Sequence, residues 1–289
     1  MGPTAPQALP LLAQKVGLAA IALTDHDTTA GLAACAEGCA ALGLGFVPGI
    51  ELSADRTALD YRSVGSDRDP AHGPRGTLHI LGLFIHTDDP ALAKIEQQTR
   101  LARAQRNPQI IACLQEQGIR INYQQVLDLV QAQQGGVVGR PHIAQVLVNM
   151  GYAKSVQDAF NKYLGHGRPG YVRKDHLSPR QAIEAIHHAG GIAVLAHPVQ
   201  LRCVDSDELE LAVKHLSAMG LDGIEVYHSD HTPADVEQYS RLAEKYNLHI
   251  SGGSDYHGSR KAIAMGSQHV PFHVYESLRQ ARQPESSRM

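Results

Sequence analysis

Six short apolar runs in this chain each meet a His, Asp or Glu at one end, and that recurrence limits the fold more than any other feature. Ile21-Ala22-Leu23-Thr24 leads into Asp25-His26-Asp27, and Phe46-Val47-Pro48-Gly49-Ile50 into Glu51. His79 opens Ile80-Leu81-Gly82-Leu83-Phe84-Ile85. Ile192-Ala193-Val194-Leu195-Ala196 leads into His197-Pro198, and Ile224-Glu225-Val226-Tyr227 into His228. Ile250-Ser251-Gly252-Gly253-Ser254 leads into Asp255-Tyr256-His257. Continuous apolar stretches of this length suit parallel strands buried on both faces. In a barrel of such strands the C-terminal ends converge on one mouth, where active sites sit. The residues delivered there are the ligand set of Zn, Mn and Fe. The pattern predicts a multinuclear metal hydrolase.

Periodicity places the other elements. The spacing predicts a helix over 8–16, a strand over 19–24, an Ala-rich helix over 29–42 and strands over 46–52 and 78–85. Residues 54–77 carry Gly, Pro, Asp, Arg and Ser without a period, as expected of a long exposed loop or hairpin tip. From Pro90 to about Leu164 the apolar spacing is helical, with Gln134-Gly135-Gly136 as a break. A helix over 179–189 is opened by Ser178-Pro179 and closed by Gly190-Gly191. Strand and helix then alternate over 192–197, 207–219, 223–228, 233–246 and 249–254, and the tail after Pro284 is expected to fray. Alternation of this kind implies a parallel sheet with helices outside. The Gly-rich dinucleotide fingerprint is absent, which favours a barrel over a doubly wound sheet. The expected domains are a discontinuous barrel, 1–88 with 176–289, and an inserted helical substrate-binding subdomain, 89–175.

Composition narrows the function. The 289 residues carry a net charge of -3, so bulk charge exerts no pull toward nucleic acid. Histidine is the outlier, 17 residues against 26 Lys plus Arg, which points to metals or proton transfer. The four cysteines form no C-x-x-C pair, so a reducing cytoplasm is expected. No run reaches the length of a membrane span, and no signal-peptide pattern opens the chain. No stable protein partner can be inferred.

Taken singly, the candidate residues differ in weight. An unpaired carboxylate such as Glu51 at the end of a buried strand is costly, and a metal removes that cost. Asp255 and His257, at i and i+2 of a strand, would point to one side. His197 reads equally as a satisfied core histidine or as a ligand. Helix N-capping is the expected role of at least one of Asp25 and Asp27. His228 and His231 follow a strand, and one of them is placed to donate a proton or bind phosphate, with His228 the incidental one. In the helical block Arg103 and Arg106 share a helix face at i, i+3. Arginine suits a bidentate grip on phosphate, and a solvated face is the bland alternative.

Together these residues carry a resemblance. Leu23-Thr24-Asp25-His26-Asp27, Gly49-Ile50-Glu51-Leu52-Ser53, His79-Ile80-Leu81-Gly82, Ala196-His197-Pro198 and Gly253-Ser254-Asp255-Tyr256-His257 resemble the PHP (polymerase and histidinol phosphatase) family, from about residue 8 to residue 280. The resemblance implies a distorted α/β barrel of seven strands, (β/α)7 and TIM-like, holding up to three Mn, Zn or Fe ions. It implies metal ligation, and so catalysis, by Glu51, His79 and His197 at one site, by His26 and His257 at a second, and by Asp255 with a bridging Glu51 at a third. Gly139-Arg140-Pro141-His142, with Lys162-Tyr163-Leu164 through Gly170-Tyr171-Val172, resembles one branch. That branch holds nucleoside 3′,5′-bisphosphate phosphatases, some of which are also 5′-to-3′ exoribonucleases on short RNA. Substrate phosphate would then meet Arg103, Arg106, Arg140, His142 and His231, while metal-activated hydroxide attacks phosphorus. The partner implied is a nucleotide or short oligoribonucleotide.

The family opens on a strand bearing Asp-Leu-His-x-His-Ser, whereas this chain opens Met1-Gly2-Pro3-Thr4-Ala5-Pro6. The expectation is a start placed too far downstream or a truncation, with a decayed copy as the third explanation, a barrel short of its first strand, and weak or no activity from this polypeptide alone. A histidinol-phosphate type of phosphatase and an inactive nucleotide-binding truncation stay open as alternatives.

Overall fold

The computed structural model describes residues 4–59, 76–132, 138–172, 177–258 and 262–282. The described residues of Met1–Val64, Pro74–Ile95 and His176–Met289 form one compact unit, and those of Glu96–Asp175 a second.

The first unit is built on six strands in sequential order: β1 (Ala20–Leu23), β2 (Gly45–Ala54), β3 (Leu78–Leu83), β4 (Ile192–Leu195), β5 (Gly223–His228) and β6 (His249–Gly253). They make a curled half-barrel sheet, and among the described residues β1 and β6 each pair on one side only. Five strands run parallel, but β3 is antiparallel to both β2 and β4. This corrects the all-parallel expectation and explains why His79 opens its run while the other candidate residues close theirs. Reversing one strand brings its N-terminal end to the rim where its neighbours end.

Alternation along the strands gives the sheet two faces. Ile50 and Leu52 of β2, Leu78 and Ile80 of β3, Ala193 and Leu195 of β4, and Ile224 and Val226 of β5 all join the larger core. That core also holds residues of α7 (Pro179–His188), α8 (Ser206–Ala218) and α9 (Pro233–Lys245). The opposite positions Val47, Leu81, Leu83, Ile192 and Val194 form a second core with Val274 and Leu278. Those two lie on α10 (Phe272–Ala281), a helix the sequence reading missed. The helices start where side chains accept backbone N–H groups: Ser178 caps α7, Asp205 caps α8 and Thr232 caps α9. Gly49 lets the strands close: a Cβ there would lie 2.7 Å from the carbonyl oxygen of Gly82 and 2.7 Å from the methyl of Thr24.

Three further expectations are corrected. The helix α2 (Leu32–Leu42) has Gly31 at its N-cap with no side-chain cap, and Asp27 instead accepts the backbone N–H of Ser53. Residues 254–257 are not strand, because β6 ends at Gly253 and Asp255 turns to φ 52. The described start of the 54–77 segment is not an exposed loop: Arg56 is buried, donating to the Leu201 carbonyl and to Glu208. The rest of that segment from 60 to 75, the Gln134-Gly135-Gly136 break and the tail after Pro284 lie outside the described residues.

The second unit is helical. It contains most of α3 (Pro90–Glu116), α4 (Tyr123–Ala132), α5 (Arg140–Asn149), α6 (Val156–Ala159) and a π-helical turn at Phe160–Leu164. Its core is Ile110, Leu114, Ile121, Val126, Ile143, Leu147 and Leu164, at the spacing read from sequence. No described helix is long and apolar enough to cross a membrane.

Candidate metal centre

Glu51 is the hub of the rim. Its place on β2 has the parity of Val47, so its carboxylate faces the concave side and is buried there. Three imidazoles converge on it. His26 Nδ1 lies 3.1 Å from Oε2, His79 Nδ1 lies 2.7 Å from Oε1, and His197 Nε2 lies 3.0 Å from Oε1. His79 Nδ1 and His197 Nε2 are themselves 3.3 Å apart. Burial pushes the Glu51 carboxyl up, but the imidazoles of His26 and His79, with hydrogen bonds from His197 and His79, hold it well below the usual carboxylate range. Burial also opposes a charged His197, yet the hydrogen bond to Glu51 and the nearby carboxylates leave its pKa raised.

Three ring nitrogens and a buried carboxylate converge on one small space. A divalent cation satisfies all of them. Mixed imidazole and carboxylate donors suit Zn, Mn and Fe, and His26, Glu51 and His79 each offer a ligand atom within 4.8 Å of the others. The residues present therefore fit a divalent metal.

Asp255 and His257 complete the rim. Asp255 Oδ1 lies 3.3 Å from His257 Nδ1, and Asp255 Oδ2 lies 3.6 Å from His228 Nε2. The left-handed turn at Asp255 does the work expected of strand alternation. His257 Nδ1 donates to the Asp255 carbonyl at 2.8 Å, which leaves Nε2 as the lone-pair donor. The rings of His26 and His257 are 6.3 Å apart.

The strand β5 adds two residues that sequence reasoning missed. Glu225 is buried, and its Oε2 accepts the backbone N–H of His197 at 2.7 Å. Burial pushes the Glu225 carboxyl up to about 7, against the pull of the His228 ring and of His197. His228, read as incidental, is fully buried with its ring 5.5 Å from that of His197. Its Nδ1 accepts from Asp230 N–H, so its proton sits on Nε2, facing Asp255. A carboxylate within an otherwise apolar strand is the signal that singled out Glu51, and it applied equally to Glu225. His231 is one ring further out, 5.0 Å from His228. Its Nδ1 donates to the Val226 carbonyl at 2.8 Å, and its buried Nε2 has no hydrogen-bond partner among the described residues.

The remaining candidates lie in the helical unit. Arg103 and Arg106 are on α3, and Arg106 is buried, so the solvated-face reading does not hold for it. Arg140 begins α5, where its guanidinium lies 5.7 Å from the centre of the Phe160 ring and donates to the Leu164 carbonyl. Burial lowers its pKa, and Arg103 adds to that. His142 Nδ1 accepts the N–H of Gly139, closing the first turn of α5. A Cβ on Gly139 would lie 3.4 Å from Arg103 Nη1. Arg103, Arg140 and His142 thus gather at one helix N-terminus, where backbone N–H groups favour anions.

No protein-family model matches the chain. It is 34% identical over 263 residues to the 5′-3′ exoribonuclease Rnm of Escherichia coli K12, covering 90% of this chain and 83% of that protein. It is 34% identical over 239 residues to the 3′,5′-nucleoside bisphosphate phosphatase of Chromobacterium violaceum, covering 83% and 77%. A phosphoribosyl 1,2-cyclic phosphate 1,2-diphosphodiesterase of Eggerthella lenta is 34% identical over 270 residues, covering 93% and 92%. Among solved structures, a Bifidobacterium adolescentis protein described as a metal-dependent phosphoesterase superposes with a TM-score of 0.81 at 29% identity, covering 99% of this chain and 94% of that one.

Proposed function

The chain belongs to the PHP family of metal-dependent phosphoesterases, and we propose that its substrates are nucleoside 3′,5′-bisphosphates and short RNA taken from the 5′ end. The observation that carries this reading is the convergence of His26, His79 and His197 on the buried carboxylate of Glu51. His26, Glu51, His79, His197, Asp255 and His257 are the proposed ligands of two to three Mn, Zn or Fe ions. When bound, such ions lower the pKa of water toward neutrality and neutralise phosphoryl charge.

The rest falls to the side chains. Arg103, Arg106, Arg140 and His142 are the proposed grip on phosphate, because guanidinium forks match phosphate oxygens in pairs. His231 holds its proton on Nδ1, so Nε2 is a fixed acceptor for a substrate hydroxyl. His228 presents Nε2–H toward Asp255, 3.6 Å from Oδ2, a distance too long for a hydrogen bond. The four cysteines are free, in keeping with a reducing cytoplasm.

A second reading is favoured by the relative from Eggerthella lenta, which covers almost all of this chain: hydrolysis of a cyclic phosphodiester at the same centre. The test is a panel of adenosine 3′,5′-bisphosphate, 5′-phosphorylated oligoribonucleotides, a ribosyl 1,2-cyclic phosphate and histidinol phosphate, each assayed with Mn, Zn or Fe and again after chelation. Turnover of the first two that chelation abolishes is expected. Preference for the cyclic diester or for histidinol phosphate would overturn the substrate, and turnover surviving chelation would overturn the metal centre.

A further inference from the structure

We propose that Glu225 is a positioning residue of this centre: its buried carboxylate holds the peptide of His197 in the conformation that brings the imidazole onto Glu51. The inference rests on reading the rim as a metal centre.

His197 is held at φ 26, ψ 68, outside the regions an L-residue prefers, and it precedes a proline. Left-handed backbone is unfavourable for a non-glycine residue. Something must hold it there. The ladder between β3 and β4 reaches Ala196, whose N–H donates to the His79 carbonyl at 3.1 Å. One residue later the chain turns away, and the His197 N–H would be left in the interior. Glu225 Oε2 takes it at 2.7 Å. That bond satisfies a buried N–H that would otherwise lose its partner. On the far side of the turn, Gln200 N–H donates to the His197 carbonyl at 2.9 Å. The peptide is therefore pinned at both ends while Nε2 rests 3.0 Å from Glu51.

The strand carrying Glu225 is shaped for two inward residues. Ile224 and Val226 belong to the helix-facing core, so Glu225 points to the concave side. Regular alternation would then send His228 to the helices. Instead the register slips: Glu225 pairs with Ser251 and Tyr227 with Gly252, one residue too many on β5. Bulges of this kind sit beside active sites and re-aim side chains. Here the slip returns His228 to the centre, against His197 and Asp255. Glu225 and His228 thus frame the histidine from two sides.

Two variants separate the hydrogen bond from the charge. In E225Q the amide oxygen still accepts the His197 N–H, while in E225L nothing does. Manganese and zinc affinity is measured by titration with elemental analysis, thermal melting reports the fold, and the His197 amide is followed by NMR in metal-free protein. Wild type and E225Q should show a protected, downfield His197 amide and similar metal affinity. E225L should lose that amide signature and about 10- to 100-fold in affinity, the loss typical of an outer partner of a metal ligand. Wild-type affinity in E225L, an equal loss in E225Q and E225L, or a rapidly exchanging His197 amide in wild type would each overturn the proposal. Should E225L not fold, the wild-type amide and E225Q still decide it. Should the wild type bind no metal, the metal-centre reading fails, and the amide comparison judges Glu225 by itself.

Discussion

Glu51 Oε1 lies 2.7 Å from His79 Nδ1, although the register of β2 on β3 pairs Glu51 with Leu81 and His79 with Ser53. The two are diagonal neighbours on the concave face, within reach of long side chains across an antiparallel pair. Had β3 run parallel, its first residue would lie at the opposite end of the sheet from Glu51. The reversal of one strand therefore assembles the centre.

Replacing Glu51 by Gln should disperse it. Three imidazoles would face a neutral amide, with nothing to draw their nitrogens together. Metal content measured after dialysis should fall to background, and affinity should fall by more than the roughly 10- to 100-fold that loss of an outer partner costs. E51Q retaining stoichiometric metal would remove Glu51 as the hub.

Much of this was legible before the structure. The six runs became the six strands, and the residues at their ends meet at one rim because strand ends in a curled sheet must. Strand direction was not legible: β3 reads as an apolar run either way, and the segment that would betray a hairpin, 54–77, carries no period. Asp255 and His257 come together for a different reason from the expected one, because a left-handed turn at Asp255 mimics strand alternation. His228 reads as incidental beside His231, and strand parity alone would send it to the helix side, because a bulge does not announce itself in a strand without glycine beyond its first residue. The helix α10 was missed because its buried residues, Val274 and Leu278, number only two.

In the helical unit, Arg140→Ala should raise KM for 5′-phosphorylated substrates far more than for their unphosphorylated counterparts. Arg140→Lys keeps the charge but not the planar fork, and should recover only part of the loss. Arg140 also sits over Phe160, so A and K variants must be compared by melting as well. Equal effects on both substrate classes would reduce Arg140 to a packing role.

Arg56 should matter to stability and not to chemistry. Its guanidinium is buried, donating from Nε to the Leu201 carbonyl at 3.0 Å and from Nη2 to Glu208 at 3.2 Å. Arg56→Ala leaves a carbonyl and a largely covered carboxylate without that donor, at a cost of about 2–3 kcal/mol. Urea unfolding should show that loss with metal affinity unchanged. A variant as stable as wild type would mean that water replaces the guanidinium fully.

At the other end of the sheet, His187 on α7 pairs with Asp222 at 2.6 Å, and the same Asp222 oxygen accepts the N–H of Ala193 at 2.8 Å. The hydrogen bond to Asp222 is the main cause that raises the His187 pKa above 6.5, and the carboxylates of Asp222 and Glu184 add to it against burial. The folded state thus binds this proton more tightly than the unfolded chain does. The resulting stability is fully present below 6.5 and fades as pH climbs through the raised folded value. His187→Ala should accordingly lower the melting point at about pH 5.5 and approach wild type at about pH 8.5, where only the neutral hydrogen bond is missing. Both partners are partly exposed, so solvent screening limits the acidic-side loss to no more than about 1 kcal/mol. A deficit growing toward alkaline pH would reverse the sign and show that Asp222 holds His187 neutral.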